Sequence, residues 1–271
     1  MTSSIRKSYI DLDDGQMHYR SAGRPELPLL IMLHQSPSSS IMFEALMTEL
    51  HQYFYILAPD TPGFGMSDPL TGPVTVKAYA AAINAFMRAL NVSHAAVFGH
   101  HTGAAIAVQL ACDFPTQVNS LALSGPTLLS DALKTALPEK AKAFAETEDG
   151  SHLLAMWQRM RAKEPNAPLA LCLRETLLGL AVGAAYPDAY GAVIEQDFES
   201  KLRALELPTL VFSGDGDPLY SQLDAALAAC KQGRKAVLPG ARTYSCDLFA
   251  SEIADLLLRF FLEQGDMESD S

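Results

Sequence analysis

The sequence predicts an α/β protein with a mostly parallel sheet that is covered by helices on both faces. Apolar runs that end in loops recur along the chain, among them LPLLIMLHQSP, FYILAPDTPGFG and LPTLVFSGDGDP. Amphipathic helical patterns such as VKAYAAAINAFMRAL lie between most of these runs. Continuous apolar strands that alternate with amphipathic helices are typical of a parallel sheet buried on both sides. A chain of 271 residues can bury one large core of this kind, with or without an inserted segment.

The first predicted element is a β-hairpin. Residues 8–23, SYIDLDDGQMHYRSAG, alternate in polarity around Asp14-Gly15, a dipeptide that favours a tight hairpin turn. The strand runs that follow are, in order, LPLLIMLHQSP, FYILAPDTPGFG, HAAVFGHHTG, SLALSGPT, LPTLVFSGDGDP and KAVLPGART. The helical patterns AAIAVQLACDF and FASEIADLLLRFFLEQ come after the third and the last of these strands.

One interval interrupts the alternation of strands and helices. Residues 128–204 have helical periodicity and no clear strand. Within SHLLAMWQRM, the apolar positions that share one helical face are Leu153, Leu154, Trp157 and Met160. A helical insertion between two parallel strands is placed to cover their carboxyl ends, where such sheets bind ligands. We therefore predict an α/β core in residues 1–127 and 205–271 and a helical cap in residues 128–204; a helical packing layer that includes a homodimer surface is the alternative.

Composition and charge narrow the classes of partner. Hydrophobic residues make up 49% of the chain and charged residues 19%, the ordinary composition of a folded domain. The formal net charge is −11, and no dense cluster of Lys and Arg opposes it. A negative surface repels phosphate backbones and anionic headgroups, so we expect neither nucleic acid nor membrane as a partner.

Three features indicate a cytoplasmic protein. The N-terminal stretch MTSSIRKSYIDLDDGQ lacks the apolar region of a secretory signal. The apolar run LALCLRETLLGLAVGAAY is interrupted by Arg174 and Glu175, which favours a buried helix over a membrane span. The cysteines show no C-x-x-C spacing, as is typical of a reducing compartment; they are Cys112, Cys172, Cys230 and Cys246.

The stretch VFGHHTGAAI, residues 97–106, carries the most specific local pattern. Gly99 and Gly103 flank His101 in the arrangement G-x-Nu-x-G, where Nu is the residue that a hydrolase uses as its nucleophile. Frames centred on His100 or Thr102 lose the flanking glycines that allow the strained turn. The sequence therefore places an imidazole, rather than a hydroxyl, at the apex of a strand-to-helix turn.

With these motifs in this order, the chain resembles the α/β-hydrolase superfamily over nearly its whole length. LHQSPSSS is similar to the family's HG-x-P oxyanion loop, and APDTPGFGMSD is similar to its D-x-P-G-x-G-x-S segment. VFGHHTG resembles the nucleophile elbow, and FSGDGDP resembles the segment that supplies the catalytic acid. The resemblance implies an eight-stranded, mostly parallel sheet with helices on both faces and a helical cap where residues 128–204 fall.

The catalytic pattern departs from the family at two positions. His101 occupies the elbow position that Ser, Cys or Asp fills in the family, whereas His100 matches a common structural histidine. VLPGARTYSCDLF aligns on the segment that carries the family's triad histidine, and this alignment places Thr243 at the histidine. None of the seven histidines lies beyond His152, so the chain order Ser, Asp, His is excluded together with an ordinary serine-esterase mechanism.

The resemblance also implies an oxyanion hole. Its donors would be the backbone N–H of Thr102, one residue past the elbow position, and that of Ser36 in the oxyanion loop. Gln35 replaces the usual glycine of that loop. Such a hole stabilises an oxyanion whether or not a serine attacks.

Asp217 matches the family's catalytic acid, although the histidine that this acid normally orients is missing. An imidazole reaches further than a serine hydroxyl, so His101 extends toward the volume that Thr243 leaves open. We therefore predict a His101–Asp217 dyad, in which Asp217 accepts from one ring nitrogen and the other nitrogen acts as a general base or nucleophile.

Further residues are candidates for the substrate pocket. His34, Gln35, Thr243 and Tyr244 lie in or beside these motifs, and Trp157 is a candidate for the underside of the predicted cap. We expect no metal, because the adjacent His100 and His101 diverge and the sequence has no H-E-x-x-H motif. We expect no dinucleotide cofactor, because DTPGFG lacks the third glycine of that fingerprint.

The function that these residues predict is cofactor-independent hydrolysis of an ester, lactone or C–C bond in a small carbonyl compound. A lyase or a cofactor-free oxygenase that acts through an enolate needs the same base and oxyanion hole and stays open. The alternative from another class is a catalytically silent protein that keeps the pocket to bind a ligand.

Overall fold

The computed structural model describes residues 5–268, and of residues 263–268 it describes only the backbone. The strands are β1 Arg6–Leu12, β2 Gly15–Ala22, β3 Leu29–Leu33, β4 Tyr55–Pro59, β5 Ala95–His100, β6 Val118–Ser124, β7 Pro208–Gly214 and β8 Gln232–Leu238. They form one sheet in the order β1-β2-β4-β3-β5-β6-β7-β8. β1 and β2 form an antiparallel hairpin, β2 pairs antiparallel with β4, and the remaining pairs are parallel.

Helices cover both faces of this sheet. They are α1 Glu44–Leu50, α2 Val76–Ala89, α3 Thr102–Asp113, α4 Asp131–Lys140, α5 Ser151–Lys163, α6 Leu169–Ala181, α7 Tyr186–Glu195, α8 Phe198–Ala204, α9 Leu223–Ala229, α10 Ser245–Leu248 and α11 Ala250–Glu268. Because side chains alternate along a strand, Ile31 and Leu33 of β3 join one core with α2, α3 and α9, whereas Leu30 and Met32 join another with α1 and α11. The predicted α/β fold with a mostly parallel eight-stranded sheet is confirmed.

Residues 128–204, called the helical segment below, hold α4 to α8 between β6 and β7. The apolar face expected from SHLLAMWQRM is wrong in part, since Leu153 and Leu154 are 50% and 57% exposed. The buried side chains of α5 are Met156 and Met160, which pack with Tyr186 of α7. The buried face of α5 is therefore rotated about the helix axis, away from Leu153 and Leu154 and toward Met156.

The run LALCLRETLLGLAVGAAY also differs from the single buried helix that its composition predicts. It forms α6 and then turns into α7, with an angle of 99° between the two helical stretches. Among the described residues no single helix is long and apolar enough to cross a membrane; the bent pair Leu169–Ala181 and Gly183–Glu195 meets that test on length and composition alone.

Candidate active site

His101 lies at the apex of a sharp turn between β5 and α3. Its backbone has φ 49° and ψ −112°, a conformation that residues other than glycine rarely adopt. The backbone N–H of His101 donates to the carbonyl of Ser124 at 2.9 Å and so fixes the turn to β6. A Cβ atom at Gly103 would overlap the carbonyl of Leu33, and one at Gly99 would overlap the backbone of Gly103. The two glycines are therefore needed for the close backbone contacts of the elbow.

The imidazole of His101 is hydrogen-bonded to Asp217. The distance from His101 Nε2 to Asp217 Oδ2 is 2.7 Å, and the other carboxylate oxygen, Oδ1, accepts from the backbone N–H of Leu219 at 2.8 Å. Burial of Asp217 raises its pKa, but the charge and hydrogen bond of His101 and the Leu219 N–H outweigh burial and hold the pKa below its usual value. An ionised Asp217 accepts a hydrogen bond from Nε2–H, so in the neutral imidazole the lone pair is on Nδ1. No described residue forms a hydrogen bond with that nitrogen.

Gly125, just past the end of β6, makes room for the imidazole. Its φ is 57°, and a Cβ atom there would overlap His101 Cδ2 and lie 2.5 Å from Nε2. The sequence pattern predicts only a strand for SLALSGPT and gives no role to Gly125. The signal for such a role is a glycine directly after β6, because β6 pairs with β5, the strand that leads into the elbow.

His100 holds the segment that replaces the family's triad histidine. Its Nε2–H donates to the carbonyl of Thr243 at 3.1 Å, and its Nδ1 accepts from the hydroxyl of Ser124 at 2.9 Å. The ring stacks on His101 with 4.3 Å between centroids. Complete burial, with the nearby His101 as a second cause, lowers the pKa of His100 to about 3. His100 is therefore a neutral structural residue whose role the sequence indicated only through the resemblance.

Ser36 lies in the loop after β3, which resembles the family's oxyanion loop, and it contacts Thr102 at the start of α3. The backbone N–H of Ser36 donates to the Thr102 hydroxyl at 3.3 Å, a long hydrogen bond that a ligand oxygen can replace. Thr102 opens α3, where the backbone N–H groups of the first turn have no helical carbonyl to bind. The hydroxyl of Tyr190, in the helical segment, donates to the Ser36 carbonyl at 3.1 Å and so connects the helical segment to the loop after β3. The sequence pattern did not indicate this contact of Tyr190.

A cavity of about 530 Å³ opens in front of His101. Four other sequence-predicted site residues line it, namely Gln35, Ser36, Thr102 and Thr243. The helical segment contributes lining residues that include Leu133, Tyr186 and Tyr190. Among the described residues, no group of three or more His, Cys, Asp or Glu side chains is placed to hold a metal ion.

Three predicted pocket residues do not line this cavity, and each has a structural role instead. His34 is fully buried, with Nδ1 at 2.8 Å from the carbonyl of Gln35 and Nε2 accepting from the backbone N–H of Thr61 at 2.8 Å. Trp157 packs against a small buried cluster that contains Tyr244. Tyr244 donates its hydroxyl to the carbonyl of Met160 at 3.1 Å. Their polar and aromatic groups are therefore used to join elements of the fold.

Comparisons with known proteins agree with this architecture. A family model for the alpha/beta hydrolase fold matches residues 28–245. The chain is 30% identical over 233 residues to 2-(acetamidomethylene)succinate hydrolase of Mesorhizobium japonicum, which covers 80% of this chain and 82% of that protein. It is 22% identical over 222 residues to 3-oxoadipate enol-lactonase 2 of Acinetobacter baylyi, covering 80% and 82%. The structure of the enol-lactonase from Burkholderia xenovorans superposes with a TM-score of 0.79 at 20% identity, covering 94% of this chain and 100% of that one, a likeness of fold alone.

Proposed function

Because the chain belongs to the α/β-hydrolase fold family, we propose that it is a cofactor-independent hydrolase in which a His101–Asp217 dyad replaces the Ser-His-Asp triad. The observation that carries this proposal is the 2.7 Å hydrogen bond between the two side chains, which lies at the turn between β5 and α3. Two relatives are hydrolases by name, one a succinate-derivative hydrolase and one an enol-lactonase, which favours hydrolysis over lyase chemistry.

In the proposed reaction His101 acts as a general base. Asp217 holds the Nε2–H, and Nδ1 takes a proton from a water molecule as the water oxygen attacks the substrate carbonyl. The protonated Nδ1 then returns this proton to the departing alkoxide, enolate or carbanion, so that an acid and a protonated leaving group are released. Nδ1 is bonded to Cγ, the ring carbon attached to Cβ, and this substitution hinders direct attack by the nitrogen more than it hinders proton transfer from a water molecule.

The charge that develops on the carbonyl oxygen needs hydrogen-bond donors. The backbone N–H groups of Thr102 and Ser36 are the proposed donors, and the Thr102 hydroxyl is released from Ser36 when the oxyanion enters. One donor of this kind is worth about 3 kcal/mol of transition-state stabilisation. We further propose that the helical segment, residues 128–204, acts as a cap, because its side chains line the cavity together with His101 and Thr102 of the elbow.

The test is a panel of 4-nitrophenyl esters and small lactones offered to the wild-type protein, run beside covalent labelling with a fluorophosphonate. We expect turnover of at least one class of substrate and no stoichiometric labelling, because the elbow carries no hydroxyl nucleophile. Labelling at Thr102, Ser36 or Tyr244 would show that another nucleophile is used. Thermal stabilisation by substrates without any turnover would favour the catalytically silent binding protein.

A further inference from the structure

Positive charge collects around the cavity of a chain whose net charge is −11. Four of the described residues that line the cavity are cationic, namely Lys140, Arg159, Lys163 and Arg242. The single acidic side chain of that lining set is Glu139, and its carboxylate forms an ion pair with Lys142 at 2.6 Å. The balance of charge at the cavity is therefore opposite to that of the whole chain.

These cations have few carboxylate partners of their own. Within the described part of the chain, the ammonium groups of Lys140 and Lys163 have no hydrogen-bond or ion-pair partner. Arg159 donates to the carbonyl of Lys142 at 2.7 Å and lies over the ring of Phe144 at 3.9 Å. The fourth cation, Arg242, has a carboxylate only at 3.9 Å, that of Glu164. Lys163 acts on the buried Glu175 without forming an ion pair, so most of the positive charge stays available to a ligand.

Three residues that line the cavity have a buried hydroxyl group without a hydrogen-bond partner among the described residues. They are Ser36, Thr127 and Tyr186, and all three are more than nine-tenths buried. A buried polar group without a partner is costly and usually marks a place where a ligand or water completes the hydrogen bonds. The oxygen atoms are covered by protein, so each reaches a ligand in the cavity only after its side chain rotates.

The cations come from both sides of the cavity. Arg242 follows β8 in the core, next to Thr243, and Lys163 ends α5 in the helical segment. Arg242 Nε donates to the backbone carbonyl of Lys163 at 3.4 Å, so the two charged residues are neighbours across the junction. A single anionic group placed between them would contact core and helical segment together.

We propose that the cavity is specific for carbonyl compounds that carry a carboxylate at a distance from the reactive carbonyl. The substrate carbonyl lies at His101, and the substrate carboxylate lies against Lys163, Arg242 and their cationic neighbours. The hydroxyl groups of Ser36 and Thr127 donate to polar atoms of the substrate after rotation of their side chains. Charge-assisted hydrogen bonds from Lys and Arg are the stronger kind, so they set which substrate is held. This inference deepens the proposed hydrolase function and rests on it.

The test compares two esters of the same shape. Mono-4-nitrophenyl glutarate carries a terminal carboxylate, and 4-nitrophenyl 5-methylhexanoate carries an uncharged isopropyl group of similar size in its place. For the wild-type protein we expect kcat/KM for the glutarate to exceed that for the hexanoate by about tenfold or more, mainly through KM, and to fall as salt is added. Equal values, or a preference for the neutral ester, would overturn the proposal.

Variants locate the effect at the cavity. Lys163→Gln and Arg242→Gln are each expected to lower kcat/KM for the glutarate about tenfold more than for the hexanoate, and Lys163→Arg is expected to keep most of the preference. The matched control is Lys231→Gln, since Lys231 is an exposed lysine before the start of β8 that pairs with Glu206 and does not line the cavity. A preference that survives in both Gln variants would place the specificity elsewhere.

A failure of catalysis is separated from a failure of anion recognition by binding measurements. If neither ester is turned over, calorimetric titration of glutarate into the wild-type protein and into Lys163→Gln still reports on the anion site. Binding to the wild type that weakens about tenfold in the variant supports the anion site while the hydrolase proposal fails. Absent binding, or equal binding to both proteins, overturns the anion site itself.

Discussion

Helices α3 and α6 show how differently the core and the helical segment use apolar residues. In α3 every residue from Thr102 to Ala111 is buried, as expected for a helix between the sheet and its neighbours. In α6 the apolar stripe faces outward, with Leu169, Leu173 and Leu177 each more than half exposed. A hydrophobic pattern therefore predicts burial where a helix is enclosed between a sheet and its neighbours, and it fails for a helix such as α6 that has one face on the outside of the helical segment.

The inward face of α6 combines apolar residues such as Leu171 with charged groups. Arg174 donates to both carboxylate oxygens of Asp247, at 2.7 and 2.8 Å, and Glu175 is 3% exposed. The hydroxyl of Ser38, in the oxyanion loop, donates to Glu175 at 3.2 Å. A bidentate arginine–carboxylate pair fixes orientation more strictly than apolar contact does. The helical segment is thus attached to the core by directional bonds next to the proposed oxyanion hole.

Two glycines with similar φ angles, one in the core and one in the helical segment, give the largest expected difference. Gly125 in the core has φ 57° and would carry its Cβ into the ring of His101, whereas Gly183 in the helical segment has φ 59° and open space. Gly125→Ala is expected to displace the imidazole and lower kcat about 100-fold, with a loss of about 2 kcal/mol or more in the free energy of unfolding. Gly183→Ala is expected to show only the backbone strain, about 1 kcal/mol.

Both variants are checked by steady-state kinetics and by chemical denaturation. The difference in stability between the two variants separates the cost of the overlap with His101 from the cost of placing alanine at a positive φ. Equal losses of stability with unchanged kcat in Gly125→Ala would mean that the imidazole has more freedom than the contacts indicate.

The pH dependence of stability distinguishes the buried histidine of the core. His100 has a pKa of about 3 in the folded protein and about 6.5 when unfolded, so between these values the unfolded state binds the extra proton. Stability contributed by His100 is therefore present above pH 6.5 and is lost as the pH falls, by about 2 kcal/mol between pH 7 and pH 5. Urea unfolding at the two pH values measures this loss.

The variant His100→Gln keeps a donor for the Thr243 carbonyl but does not titrate. It is expected to be less stable at pH 7 and to lose about 2 kcal/mol less than the wild type on acidification. A wild-type protein and a variant with the same pH dependence would show that His100 is protonated without cost.

The smallest expected effect tests the outward face of α6. Leu173 is 51% exposed and Leu171, on the same helix, is 8% exposed in a cluster with Tyr244. Leu173→Gln is expected to change the free energy of unfolding by about 0.5 kcal/mol or less, whereas Leu171→Gln is expected to cost about 2 kcal/mol or more. Denaturant titration of the two variants checks the contrast, and a large loss for Leu173→Gln would mean that this face is covered in solution.

Much of the core could be predicted from sequence because its signals are local and repeat. The alternation of apolar strands with amphipathic helices gave the sheet, and the glycines around His101 indicated the turn on which the elbow is built. The pairing of His101 with Asp217 remains a prediction in its catalytic role, although the two side chains lie in contact. Chemistry that resides in one turn and one strand end can be located from residue types alone.

The remainder depends on contacts between distant parts of the chain. No pattern in SHLLAMWQRM separates the buried Met156 from the exposed Leu153. Met156 is buried because it packs against Tyr186, which lies thirty residues further along the chain. Gly125 acquires its role only when β6 lies beside β5, and Tyr190 only when α7 reaches the oxyanion loop. His34 and Tyr244 are pocket candidates by proximity to motifs and Trp157 by its place in the predicted cap, whereas in the structure their side chains form hydrogen bonds and packing contacts within the fold.

The central claim is that the imidazole of His101, held by Asp217, is the base. It is tested most directly by kcat/KM for His101→Ala and Asp217→Asn on a substrate that the wild type hydrolyses, with Asp215→Asn as control. The carboxylate of Asp215 accepts from the backbone N–H of Gly240 and has no hydrogen bond to His101. The account predicts losses of about 10³ to 10⁴ for the two dyad variants, no more than a small loss for the control, and partial recovery of His101→Ala with added imidazole. A His101→Ala protein that keeps kcat/KM within about tenfold of the wild type would contradict it.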